Sequence, residues 1–381
     1  MVPTHGNGFN IFPSPSGPGV ARRRQQVRFR LCRTVGPHAE PRTPPPSGDP
    51  VMSIDLPPDV DVLVVGGGPA GLSAATWLGR YQRSTLVVDA GNQRNLPAQY
   101  AHGLLGRDPT TARELLADAR AGLEQYPHVL LRQGTVTGLS RSGDGLFRAV
   151  IEGMDADGMV EVSAQRIVLA SGVRDRFPKV AGFHDHYGRD VFHCLACDGL
   201  TARGQTAIVL GSGPHVPAYA AEVLEWAGAV RIIAENAEAF TQGQRSMLGS
   251  HGIEVVDGPA EAFIGKPGAL EGVRLAGGEV VEGSTVFFSY AHHPANDLAR
   301  QLGCNLDHEG QPVINGYQLT SVEGVYAAGD IIAGWQLIPI AMGTGTAAGL
   351  ACATSLRGHA TAAMAPDPAP PTGLFKAHES A

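Results

Sequence analysis

The stretch DVDVLVVGGGPAGLSAATWLGR, residues 59–80, changes its pattern in the middle. The run Val62–Val65 is continuously apolar and short, as a buried strand is. Three glycines follow, and then a segment of small and apolar residues that suits a helix. Gly66, Gly68 and Gly71 fit the pattern G-x-G-x-x-G, with Pro69 and Ala70 between the last two. The first glycine permits a tight turn, the second lets a pyrophosphate approach the backbone, and the third lets helix pack on strand. The helix N-terminus then faces the phosphates. The next strand, STLVVDAG, ends on Asp89, 23 residues after Gly66, where a carboxylate can accept hydrogen bonds from a ribose. A glycine pattern alone is a weak signal in a chain with 50 glycines. With strand, helix and acid all in place it predicts a dinucleotide-binding unit.

A second unit follows in QTAIVLGSGPHVPAYAAEVLEWAGAVRIIAEN, residues 205–236. Gly211 and Gly213 repeat the turn, and Pro217 is read at the place of the third glycine, a substitution tolerated only near a first helical turn. The second strand runs to Glu235, 24 residues after Gly211. An acid there suits a free ribose 2′-hydroxyl and repels a 2′-phosphate, and the residues that follow, NAEAF, bring no arginine. NADH is therefore more compatible than NADPH, and a unit kept for its fold alone is the competing reading.

Composition narrows the function classes. A chain of 381 residues with 43% hydrophobic content has room for two or three domains. The net charge of −7 argues against nucleic acid as the main partner. No apolar run approaches membrane-spanning length, and five cysteines in a chain this long are no secreted disulfide framework. A cytoplasmic, reducing location is expected. Residues 1–50 hold seven arginines against Glu40 and Asp49, a local +5 that leaves −12 for the rest. That segment is rich in Pro and Gly, so residues 1–56 are expected to form a disordered leader. It is either an Arg-rich targeting segment or an over-extended reading frame with Met52 as the start. The Ala/Pro-rich residues 361–381 are expected to be a loose tail.

Two further segments carry chemistry. TSVEGVYAAGDI, residues 320–331, reads as a strand ending in Gly329–Asp330. Asp330 can hydrogen-bond the ribityl or phosphate edge of a flavin, and Gly329 leaves room for close approach. WQLIPIAMGTGTAAGLACATSL, with Gln336 and Leu337, reads as a helix whose N-terminal N–H groups face an electron-rich carbonyl. FHCLACDGL, residues 192–200, sets Cys194 and Cys197 three apart, followed by Asp198. Such a pair can bind metal, staple a loop, lie unpaired in a core or act as a redox couple. Zinc is the main rival, because His184, His186 and His193 lie close by, but no second spaced pair completes a site. Asp198 can equally be a helix-start acid. Cys304 and Cys352 suit buried small apolar residues, and Cys32 lies in the leader. His102 and His292–His293 are expected to be structural, and Trp226 and Trp335 to pack on helices.

GGGPAG, LASGVRDRFP, the Cys-x-x-Cys-Asp, VFFSYAHHPAND and GVYAAGD with the Gln336 helix occur in this order over roughly residues 57–358. In this the chain resembles the low-molecular-weight thioredoxin reductases, FAD-dependent pyridine-nucleotide disulfide oxidoreductases. The resemblance implies an α/β fold of two Rossmann-like three-layer nucleotide-binding domains, the second inserted into the first. Residues 57–175 and 296–360 would bind FAD, and 176–295 would form an NAD(P)-type domain carrying the dithiol. It further implies a homodimer, Cys194 as the outward interchange thiol, Cys197 as the flavin-facing thiolate and Asp198 as the proton carrier. The partner would be a thioredoxin-like protein or a small dithiol or disulfide. Two departures bear on function: AENAEA stands where the family has a His-Arg-Arg signature, and DAGNQRNLPAQYAHGLLGRD replaces a Gly-Gly-Gln segment. The latter loop and FPKVAGFHDHYGRDVFHC are similar to the gliotoxin-type dithiol oxidase branch, which passes electrons to oxygen. That branch usually has histidine where Asp198 stands. A non-catalytic flavin-binding protein is the reading from another class, and the dithiol argues against it.

Overall fold

The computed structural model describes residues 59–154, 158–211 and 213–357. The predicted leader with Met52 and Cys32, and the predicted tail, lie outside the described residues. The first strand, β1 (Asp59–Val65), lies inside a seven-stranded sheet. It pairs in parallel with β2 (Thr85–Asp89) and β6 (Met159–Leu169), and β3 (Val129–Gln133) adds in parallel beyond β2. Beyond β6 the antiparallel strands β5 (Phe147–Glu152) and β4 (Thr135–Arg141) continue the sheet, while β17 (Val325–Ala327) pairs in parallel with β6. Val62, Leu63 and Val64 are fully buried, so side chains on both faces of β1 meet core. That is why its sequence is an unbroken apolar run instead of an alternation.

Helices α1 (Pro69–Arg80), α2 (Ala112–Leu123) and α8 (Ile338–Ser355) belong to this unit. A Cβ on Gly345 would lie 2.1 Å from the Ala70 carbonyl oxygen, and one on Gly349 would lie 2.6 Å from that of Ala74. The two backbones of α1 and α8 can touch only because small residues line both. Thr111 and Glu114 form a capping box at the start of α2.

The second sheet is wholly parallel, in the order β11 (Glu254–Asp257), β10 (Ala229–Ala234), β9 (Thr206–Gly211), β15 (Thr285–Ser289), β8 (Val191–Phe192). Helices α5 (Val216–Val223) and α6 (Gln242–Ser250) accompany it. A three-stranded antiparallel sheet of β12 (Ala260–Lys266), β13 (Ala269–Leu275) and β14 (Val280–Glu282) lies between β11 and β15 in the chain. The chain leaves the first sheet through β7 (Val173–Asp175) and returns through β16 (His292–Pro294), and these two pair antiparallel. Short helices α3 (Phe183–His186) and α4 (Leu195–Asp198) precede the second glycine turn, and α7 (Asp297–Gln301) follows the return. The α/β class with two dinucleotide-type units is the one the two glycine turns predict.

Four local expectations need correction. The third position of the second glycine turn belongs to Val216, not Pro217: a Cβ on Gly211 would lie 2.8 Å from Val216 Cγ2, and Val216 is fully buried. Pro217 is the next residue and sits within the first turn of α5, where its missing N–H costs nothing. Gly329–Asp330 is not the end of a strand; β17 stops at Ala327, and Gly329–Ile331 form a 3₁₀ turn. Gly329 has φ +78°, which takes the chain out of the extended region. The C-terminal helix starts at Ile338 after an N-cap at Leu337, so Gln336 precedes it. Trp335, 69% exposed and ahead of the helix, does not pack as a helix residue, whereas Trp226 packs against Gly199 beside α4.

Candidate active site

The first glycine turn is shaped for close approach. Gly66 has φ +103°, and a Cβ on Gly71 would lie 1.8 Å from the Gly66 carbonyl oxygen. A Cβ on Gly67 would strike Asp89 at 2.7 Å, so the bare turn is what lets this carboxylate rise beside it. Gly68 is the N-cap of α1 and its Cβ direction meets nothing nearer than Gln93 Cγ at 3.9 Å, which leaves space over the free N–H groups of the helix. Asp89 is 8% exposed. Its oxygens accept from Gln93 Nε2 at 2.6 and 2.7 Å, from the Arg120 guanidinium at 2.9 Å and from the Gly91 N–H at 3.1 Å. Gln93 Oε1 and Asn95 Nδ2, in the same loop, are buried with no hydrogen-bond partner among the described residues. Buried amides are rarely left so, and a bound polar ligand over this turn would satisfy them. The site thus fits the pyrophosphate and ribose of a dinucleotide.

A second group of residues comes to the first turn from the far end of the chain. A Cβ on Gly329 would lie 2.7 Å from the Cβ of Ala70, and the Gly329 N–H donates to Thr344 Oγ1 at 3.0 Å. This places Asp330 beside the first helix. Arg94, from the loop after β2, then ties the pieces together. Its Nε and Nη2 donate to the two oxygens of Asp175 at 2.7 and 2.6 Å, and its Nη1 faces Asp330 Oδ2 at 3.4 Å and donates to Gln336 Oε1. Gln336 Nε2 in turn reaches His292 Nε2 at 2.7 Å. Burial pushes the Asp330 carboxyl above its ordinary value, opposed by Arg94. The His292 imidazole is held low, by burial first and then by the positive charge of Arg94.

Cys194 and Cys197 form a disulfide. Cys194 is the N-cap of α4, and the Cys197 N–H donates to Cys194 Sγ at 3.1 Å. Both residues are part-exposed. Asp198 closes the helix, and burial raises its carboxyl to about 6, countered by the charge of His102. A carboxyl poised there can both accept and release a proton near neutrality. The Tyr187 hydroxyl and His193 Nδ1 are hydrogen-bonded at 3.1 Å, and Tyr219 donates to the His193 carbonyl at 3.0 Å. Burial holds the His193 imidazole down at about 4, helped by the charge of Arg94, so it is neutral beside the disulfide.

The loop from Arg94 also touches the dithiol segment directly. The Gln99 N–H donates to the Gly188 carbonyl at 3.0 Å, and a Cβ on Gly188 would lie 2.4 Å from the Pro97 carbonyl oxygen. The disulfide segment is therefore seated against the nucleotide loop, with Arg94 and Asp175 within electrostatic reach of His193. Sequence reasoning passes over Arg94, Asp175 and Gln93, and considers His193 only as a neighbour for zinc. Arg94 and Asp175 lay in segments quoted for their wording, yet nothing in a linear pattern pairs residues 81 apart.

Gly211, Gly213 and Glu235 are grouped elsewhere, at the ends of β9 and β10 in the second sheet. Glu235 is exposed, Gly213 has φ +111°, and the Tyr290 hydroxyl feels the Glu235 charge. Cys304 and Cys352 are buried free thiols, and burial pushes Cys352 up to about 12. Among the described residues no cluster of three His, Cys, Asp or Glu side chains is arranged to hold a metal ion.

Known proteins are similar to this chain in sequence and fold. Residues 60–345 match the family model described as pyridine nucleotide-disulphide oxidoreductase. Thioredoxin reductase tcpT of Claviceps purpurea is 31% identical over 314 residues, covering 78% of this chain and 94% of the relative. Thioredoxin reductase sirT of Leptosphaeria maculans is 30% identical, over 76% and 92% of the two chains. The crystal structure of HlmI superposes with a TM-score of 0.73 at 31% identity, over 79% of this chain and 93% of the other.

Proposed function

The chain belongs to the pyridine nucleotide-disulphide oxidoreductase family and is a thioredoxin-reductase-like, FAD-dependent disulfide oxidoreductase, within which we propose that Cys194, Cys197 and Asp198 carry the thiol chemistry. When bound, FAD supplies a two-electron redox centre. The glycine turn with Gly66, Gly68, Pro69, Ala70 and Gly71 would hold its pyrophosphate, and Asp89 a ribose. Gly329, Asp330, Gln336 and Leu337 would hold the flavin half. This reading is supported by the orphaned amides of Gln93 and Asn95 and by the approach of Gly329 to Ala70.

In the reductase direction, the Cys194 thiolate attacks a substrate disulfide and forms a mixed disulfide. Cys197 then attacks Cys194 Sγ, which closes the internal disulfide and releases the second substrate thiolate. The Cys197 N–H donated to Cys194 Sγ stabilises negative charge on the outward thiol. Asp198 carries the proton between Cys197 and the leaving thiolate. The observation that carries this reading is a Cys-x-x-Cys disulfide followed at once by a carboxyl whose proton affinity lies near neutrality. The partner is a thioredoxin-like protein or a small dithiol or disulfide.

One observation favours a second reading, oxygen-dependent oxidation of a small dithiol. Glu235 stands exposed at the end of β10 and is followed by NAEA, with no cation to meet a 2′-phosphate. If a nicotinamide is used it is NADH in preference to NADPH. Anaerobic titration of the yellow holoprotein separates the two. Bleaching by NADH supports the reductase, bleaching by a dithiol with recovery in air supports the oxidase, and rapid bleaching by NADPH contradicts the role of Glu235. Full activity in a Cys197→Ser variant would sink both. We also place the protein in the cytoplasm as a homodimer, on the family likeness and the low cysteine use; light scattering tests the second point. Among the described residues no helix is long and apolar enough to cross a membrane.

A further inference from the structure

The two glycine turns correspond residue by residue, GGGPAGL at 66–72 against GSGPHVP at 211–217. In the first, α1 begins at Pro69, and the Leu72 N–H closes it on the Gly68 carbonyl at 3.0 Å. The Gly71 N–H, within that first turn, makes no backbone hydrogen bond and stays free for a phosphate. In the second, Pro217 stands where Leu72 does and has no N–H to give. The Gly213 carbonyl, counterpart of Gly68, accepts from Val216 instead, at 3.3 Å. Helix α5 begins only at Val216, two residues after the aligned Pro214, with His215 as its N-cap. The N–H left free in the first turn is thus spent inside the second, and the helix end is set back.

His215 takes the place of Ala70. Its Nε2 donates to the Ser289 carbonyl at 3.3 Å, and its Nδ1 would lie 3.4 Å from a Cβ on Gly213. Ser289 ends β15 and pairs with Gly211 at the end of β9. The sheet order switches here, since β10 lies on one side of β9 and β15 on the other. The crevice outside the carboxyl ends of such strands is where an open α/β sheet takes a dinucleotide. The imidazole lies across that crevice, over the bare glycine that a pyrophosphate must approach. Gln244, from the capping box of α6, holds the turn through the Pro214 carbonyl at 2.8 Å.

We propose that His215 is a bar across the second crevice. Together with Pro217 it keeps nicotinamide dinucleotides weakly bound and makes a substrate dithiol the main entry for electrons. This rests on the reading of the inserted unit as nicotinamide-type and of Cys194–Cys197 as the redox pair. At that entry the substrate loses two S–H bonds and gains one S–S bond. The Cys194–Cys197 bond breaks, and its two sulfurs take up the electron pair and both protons. Glu235 acts on another part of the ligand, the adenosine ribose. It sets the choice between NADH and NADPH, while His215 sets the affinity for both.

The test is calorimetric titration of the holoprotein with NADH and, separately, with ADP-ribose, which lacks the nicotinamide. The wild type should bind both only in the millimolar range. His215→Ala should tighten both by about tenfold. Adding Pro217→Leu, which returns the N–H found at Leu72, should tighten them further. Flavin bleaching by dithiothreitol, measured alongside, should keep its wild-type rate in each variant and so reports an intact fold and dithiol. Micromolar binding of NADH by the wild type overturns the inference. So does a His215→Ala protein that bleaches normally with dithiothreitol and binds NADH no more tightly than the wild type. A wild-type flavin that dithiothreitol does not bleach overturns the redox-pair reading itself, whatever the titrations give, and removes the proposed entry with it.

Discussion

Arg94 and Asp175, 81 residues apart, meet in a two-pronged ion pair with N–O distances of 2.7 and 2.6 Å. Their side chains are 17% and 9% exposed, and the same guanidinium also serves Asp330 and Gln336. Asp175 ends β7, the strand through which the chain leaves the first sheet, so the pair joins the nucleotide loop to that exit. Removing one partner strands the other's charge in a poorly solvated place. We expect Arg94→Ala to cost about 3 kcal/mol in urea unfolding, and Arg94→Lys to recover under half, since an ammonium cannot grip both oxygens.

The glycine turn offers a sharper contrast. Gly71→Ala places a methyl 1.8 Å from the Gly66 carbonyl, so α1 must shift and stability should fall by about 3 kcal/mol or more, with colourless protein recovered. Gly68→Ala meets nothing within 3.5 Å and should fold normally. Its methyl intrudes where the pyrophosphate would lie, so flavin should bind at least about tenfold more weakly. Circular dichroism and flavin absorbance separate the two effects.

Asp198 and His193 give opposite slopes to stability against pH. Burial raises Asp198 from 3.8 to about 6, so the folded state holds its proton more tightly; that stabilisation is full at low pH and is lost as pH rises toward 6. Burial lowers His193 from 6.5 to about 4, so its contribution is present above 6.5 and is lost as pH falls toward 4. Each amounts to at most about 3 kcal/mol, and the windows overlap, so they nearly cancel. Asp198→Asn should unmask the histidine: unfolding free energy should drop by about 2 kcal/mol between pH 6.5 and 4, more steeply than in the wild type.

The four described cysteines should separate cleanly in alkylation mapping. After mild reduction of the folded protein, Cys194 and Cys197 should label within minutes. Cys304 and Cys352 are 7% and 0% exposed, and burial raises both thiols, so they should label only on unfolding.

Glu235 is testable by charge reversal. With its carboxylate exposed at the end of β10, Glu235→Arg should raise the preference for NADPH over NADH by about tenfold or more in flavin reduction, while leaving dithiol-driven reduction unchanged.

Much of the fold was legible because its demands are local. The first turn needs glycine at 66 and 71 for reasons that lie within six residues of chain and two strands of sheet. The dithiol is likewise three residues long, and the disulfide between its cysteines follows from their neighbourhood. Where a local count slipped, as with Pro217 for Val216, a single contact to Gly211 corrected it. The end of β17 differs for a related reason: the segment reads as a strand ending in Gly329–Asp330, but Gly329 turns at positive φ to come against Ala70.

The sequence by itself determined the two nucleotide-type units, their order and the redox pair between them, since strand period, glycine spacing and Cys-x-x-Cys are constraints a short peptide can express. Only the tertiary structure decided which charges meet. Arg94 is joined through space with Asp175 and with Asp330, where energy depends on distance and burial and not on separation along the chain. Burial is what raises the proton affinity of Asp198, and no linear pattern contains it.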